Sequence, residues 1–177
     1  MTPRRGMSRF VAAGMGFLLA VLWFDLMFDV QTRGHTDEVL PLDVLTSIST
    51  YYGHVTTAAY PMNRLVSTVM LFTIISVCIE IYQDRTPRWL SWGTLLIMCV
   101  SVYFTLTQTV PNAVRLGSDV DTLAVQSELA RSIYHDHVVA FARVLALLGL
   151  QLFFGDSKRL ADVGDDQTSV DPSSTTS

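Results

Sequence analysis

The chain has 177 residues, a length that suits one domain. Half of those residues are hydrophobic and 16% are charged, against roughly a quarter charged in a water-soluble domain, so most of the chain avoids water. Twelve Lys and Arg stand against 16 Asp and Glu, a formal charge of -4, which leaves no basic surplus for a nucleic-acid backbone and excludes nucleic acid as a partner.

In chain order, Arg4, Arg5 and Arg9 precede an apolar run that begins at Phe10 and is uncharged until Asp25. Crossing a hydrocarbon core of about 30 Å takes about 20 such residues in a helix, and the sequence offers four segments, at about 10–30, 58–81, 89–109 and 138–155. The first could be read as a cleaved signal peptide. Its apolar run continues through Trp23, Phe24 and Phe28 with no small-x-small cleavage site before Asp25, which favours a retained span. The loop from Thr32 to about Ser49 has room for a short helix, with Val39, Leu40, Leu42, Val44 and Leu45 resting on the bundle or the membrane. Glu80, at the far end of the second span, is expected to snorkel toward the interface. A short turn at Gln83 to Arg88 makes spans two and three antiparallel neighbours, and Trp89 and Trp92 open span three at headgroup depth. Cys78 and Cys99 lie in apolar stretches away from any C-x-x-C spacing and read as reduced packing residues, with a helix-to-helix disulfide or a ligand role as the alternative. The last segment, 161–177, is rich in Asp, Ser and Thr and is expected to be a disordered tail beyond a domain of residues 1–160.

Positive residues near span ends are retained in the cytoplasm. Arg4, Arg5, Arg9, Arg85, Arg88, Lys158 and Arg159 all flank one side, whereas the two long loops carry Asp37, Glu38, Asp43, Asp119, Asp121 and Glu128. The expectation is an all-α, multi-pass four-helix bundle in lipid with both termini cytoplasmic.

Polar groups at membrane depth are costly and mark the candidate site. Asp25 and Asp29, four apart, share one helical face near the outer end of span one. His54 precedes span two, which opens with Tyr60, Asn63 and Arg64; Asn112 follows span three; and Asp136, His137 and Arg143 lead span four. Arg143 needs an acidic partner, and depth points to Asp25 or Asp29, with Arg64 joining the network. Two readings remain open: the charges fix helix packing or hold a partner protein, as in a non-enzymatic subunit or assembly factor, or they line a polar pocket for a small molecule. In a helix, residues two apart point about 200° from each other, so His135 and His137 cannot easily grip one ion. His54 and His137 on facing helices are the pair to consider for a metal or haem iron, but no second pair or attachment motif accompanies them, and no cofactor is predicted. A homo-oligomer is a further alternative among partners, and transport through four short spans would require one.

The stretches Tyr60-Pro61-Met62-Asn63 and Val110-Pro111-Asn112, with the segment from His137 to Arg143 and the apolar run after it, resemble the anthrone oxygenase-like family of small four-helix membrane proteins. His137 precedes Arg143 by six residues where the family pattern has three. The resemblance implies binding, or cofactor-independent oxidation, of a quinone- or anthrone-like aromatic. His137 or Asp25 would then act as base, and Asn112 and Arg143 would stabilise the oxyanion.

Overall fold

The computed structural model describes residues 7–35, 39–84 and 86–154. The expected tail and Arg85 lie outside these residues. Among the described residues six α-helices form: α1 (Met7–Asp29), α2 (Leu42–Thr57), α3 (Tyr60–Gln83), α4 (Arg88–Phe104), α5 (Val110–Gly117) and α6 (Leu123–Phe154). A 3-10 turn at Val30–Thr32 extends α1, and a π-helical segment at Thr105–Thr109 joins α4 to α5 without a break. No strand occurs among the described residues. Among the described residues, four stretches are long and apolar enough to cross a membrane: Arg9–Thr32, Tyr60–Gln83, Arg88–Gly117 and Leu123–Phe154. The fold is therefore an all-α, four-helix transmembrane bundle.

Local chemistry explains the breaks. Pro61 sits in the first turn of α3, where its missing N–H costs nothing. Asp84 ends α3 in the left-handed region at φ 48°, and Pro87 starts α4. Between α5 and α6, the Gln126 amide donates to Asp119 Oδ1 (2.7 Å), while Arg115 pairs with Asp121 at 2.6 and 2.8 Å.

Two of the helical rods are longer than a bilayer requires. The α4–α5 rod covers 30 residues and α6 covers 32, about 45 and 48 Å at a rise of about 1.5 Å per residue, against a hydrocarbon core of about 30 Å. At the end away from Met7 and Phe154, α2 packs on α5 and the first part of α6. Leu45, Ile48, Ser49 and Tyr52 form the buried stripe of α2, at the i, i+3, i+4, i+7 spacing of a helix that buries one face. Leu45, Ile48 and Tyr52 meet Leu40, Ala113, Leu116, Ala130 and Ile133 in one core, and the Ser127 hydroxyl receives the Leu40 N–H at 3.0 Å. This cap is an element of its own, where sequence reasoning expected two loops with at most a short surface helix. The α6 helix begins at Leu123, fifteen residues before the expected span.

The bundle has a separate core of Val11, Met15, Val77, Met98 and Leu147. Different forces hold the two. Apolar burial from water drives the cap, at about 1.5–3 kcal/mol per fully buried Leu or Ile, whereas helices in lipid associate through close packing and small residues. Gly14 of α1 shows the second mode: a Cβ there would collide with Thr73 Oγ1 of α3. Trp89 and Trp92 are 60% and 58% exposed at the start of α4, as expected of interfacial rings.

Candidate functional site

The candidate site lies where the cap meets the bundle. Asp29, in the last turn of α1, is fully buried, with 0% exposure. Its Oδ2 lies 2.6 Å from His137 Nδ1 on α6, and its Oδ1 accepts the Tyr52 hydroxyl of α2 at 2.7 Å. The Tyr52 hydroxyl is also 3.4 Å from His137 Nδ1. One turn earlier on α1, Asp25 Oδ1 accepts the Tyr51 hydroxyl at 2.6 Å, and the Tyr51 ring stacks on Phe28 with centroids 4.0 Å apart. Burial, reinforced by the carboxylates of Asp25 and Asp29, pushes both phenols well above the usual tyrosine range, so each stays a donor. Two adjacent tyrosines of a cap helix thus satisfy two carboxylates that lie one turn apart on a membrane helix.

Beside this network is a cavity of about 490 Å³ between α1, α3, α4 and α6. Leu18, Val21, Leu22, Val66, Met70 and Met98 give it apolar walls. Its polar lining comes from Asp25, Gln108, His135, Asp136, His137 and Arg143. The Thr109 hydroxyl donates to Asp136 Oδ2 at 3.1 Å. Thr105, Gln108 and Thr109 line the cavity and all belong to the π-helical segment, the kind of single-turn irregularity that often sits at functional sites.

Of the residues expected at the site, Asp25, Asp136, His137 and Arg143 reach the cavity, and Asp29 stands directly behind His137. The others do not join them. Arg64 is exposed on α3, with its guanidinium 4.0 Å from the centre of the Tyr60 ring. Asn63 is exposed and donates to the Val55 carbonyl at 2.9 Å. Asn112 is half-buried on α5, outside the cavity lining. His54 is exposed near the end of α2, outside the cavity lining. Arg143 also differs from expectation: among the described residues no carboxylate is within ion-pairing distance of it, because Asp29 engages His137 and Tyr52 while Asp25 engages Tyr51. The direction in which each side chain leaves its helix was not legible in the sequence.

Tyr51, Tyr52 and Gln108 complete the arrangement. The two tyrosines fall between the loop read to about Ser49 and the second span expected from about 58, and the one signal for them is the helical spacing from Leu45 through Tyr52. Glu80, expected to snorkel, is instead 1% exposed and lines a smaller cavity of about 230 Å³ with Asp84, Thr86, Arg88 and Ser91 at the opposite end. Among the described residues, no group of three or more His, Cys, Asp or Glu side chains is placed to hold a metal ion.

No known protein-family model, curated protein or solved structure matches this chain in comparison.

Proposed function

We propose that the chain binds a small lipophilic molecule with a polar edge, a quinone- or anthrone-like aromatic, in the cavity between α1, α3, α4 and α6. The carrying observation is that His137, Asp25, Asp136 and Arg143, with Gln108 and His135, bring polar groups to a cavity whose walls are otherwise mainly apolar. Its volume, about 490 Å³, lies in the range of about 300–1,000 Å³ typical of small-molecule sites, and a few polar groups among apolar walls fix a ligand's orientation. Arg143, without a carboxylate partner among the described residues, is available to an oxygen of the ligand.

Cofactor-independent oxidation of such a ligand fits the same groups. A base removes a proton from the ring CH2, and the carbanion is held as its enolate oxygen form. One atom of dioxygen then takes the place of the two hydrogens as the new carbonyl oxygen, and the other leaves with those hydrogens as water. His137 is suited to the base role and Arg143 to the enolate oxygen. The positive residues Arg9 and Arg88, at the starts of α1 and α4, support a cytoplasmic location for the end opposite the cap.

The test is native purification in mild detergent, with mass spectrometry of extracted small molecules and of co-purifying proteins. An aromatic lipophile that is retained by the wild type and lost with Arg143→Ala or His137→Ala supports the reading. A stoichiometric protein partner and no such ligand would instead make this a structural subunit whose charges serve assembly. Oxygenation is tested separately, by following quinone absorbance from an anthrone under dioxygen.

A further inference from the structure

We infer that Asp29 and Tyr52 are positioning residues that hold His137 with its proton on Nδ1, so that Nε2 is the nitrogen presented to the cavity. The inference rests on the reading of that cavity as a ligand site and adds how its histidine is set. An ionised carboxylate can only accept hydrogen bonds, and Asp29 Oδ2 lies 2.6 Å from His137 Nδ1, so the hydrogen between them belongs to the ring. Nδ1 is thereby occupied, and among the described residues nothing bonds Nε2. The partner on one ring nitrogen decides the role of the other. Here that partner lies on α1, and it is in turn fixed from the cap.

Tyr52 supplies the second constraint. Its hydroxyl donates to Asp29 Oδ1 at 2.7 Å, which sets the rotation of the carboxylate and turns Oδ2 toward the ring. Tyr52 and Asp29 are both buried, at 3% and 0% exposure, so water does not compete for either oxygen. The acceptor nitrogen in the membrane cavity therefore depends on a hydroxyl from a helix outside the spans.

Substituting Asn for Asp29 makes a sharp test. Tyr52 would keep the amide oxygen at the Oδ1 position, placing the amide NH2 against His137 Nδ1 and driving the ring proton to Nε2, the wrong-tautomer effect of an Asp-to-Asn change beside a catalytic histidine. The measurement is nitrogen NMR of 15N-histidine-labelled full chain in detergent, with the His137 signals assigned by their loss in His137→Gln. Wild type should show Nδ1 protonated and Nε2 bare. Asp29→Asn should invert that ratio. The double variant Asp29→Asn with Tyr52→Phe frees the amide to flip and should restore part of the Nδ1-protonated form, which a merely structural role would not do. Wild-type signals with the proton on Nε2, or on both nitrogens, overturn the inference even if no variant folds; so does an unchanged ratio in Asp29→Asn. These readouts need no ligand, so they fail or succeed separately from ligand retention.

Discussion

Removing the Tyr52 hydroxyl deletes a single oxygen, yet it leaves Asp29 Oδ1 without its donor at a position with 0% exposure. A buried acceptor stripped of its partner costs about 1–3 kcal/mol, so Tyr52→Phe should lower the thermal unfolding midpoint in detergent by several degrees. Tyr51→Phe should cost less, because Tyr51 is only half-buried and its ring keeps the stack on Phe28. Arg64→Ala should change the midpoint little, since an exposed cation–π contact contributes about 0.5–1 kcal/mol. A midpoint drop for Arg64→Ala larger than that for Tyr52→Phe would reverse this ranking of the network. The ranking is not the one that residue types alone suggest. Arg64 and Asn112 are strongly polar at nearly the right depth, but depth gives only one coordinate of a side chain on a helix, and both leave their helices away from the cavity. Asp25, Asp136, His137 and Arg143 could be found from sequence because an ionisable group within an apolar span has few tolerable destinations.

Among the elements, α2 is held to α5 by a contact with no room for a side chain: a Cβ on Gly117 would fall 2.6 Å from the Gly53 nitrogen. Gly117→Ala should therefore push the cap from its seat, while Gly16→Ala, with nothing within 4 Å, should be tolerated or slightly stabilising through helix propensity. Proteolytic susceptibility of the segment around Gly34 compares the two. The π-helical segment offers a second test. Such a bulge holds one residue more than the α-helix would, so deleting the exposed Leu106 should close it, with α4 and α5 keeping their alignment while the wide turn at the cavity is lost. The variant should still enter the membrane and keep the Gly53–Gly117 contact but lose ligand retention. The α5–α6 turn has a mild pH dependence. Hydrogen bonding to Arg115 holds the Asp121 carboxyl below its ordinary range, so its contribution is present above that range and disappears as pH falls through the lowered value; being exposed, it is small. These short elements were the hard part of the sequence to read. The start of α6 carries Glu128, Arg131, His135 and Asp136 and has the composition of a loop. In α2 the buried stripe includes Ser49 and Tyr52, which blurs its apolar period.

For the molecule as a whole, four continuous apolar runs were enough to establish the bundle, because spanning lipid leaves the backbone few alternatives to a helix. The cap was not legible in the same way, since α2 buries a mixed polar and apolar stripe against α5 and the start of α6. Orientation can be checked with two substitutions. Val120, 79% exposed in the cap-side turn, replaced by Cys should react with a membrane-impermeant maleimide in intact cells, and Tyr82→Cys at the opposite end should react only after lysis; the reverse pattern inverts the topology.

From Tyr60 to Phe72 no side chain of α3 is buried, although Val66 and Met70 help wall the cavity. That half of the helix faces hydrocarbon, so the solvent from which a guest would arrive is the bilayer itself. Occupancy should then follow how strongly a compound partitions into lipid, and adding empty micelles at constant protein and guest should draw the guest away without altering a single contact.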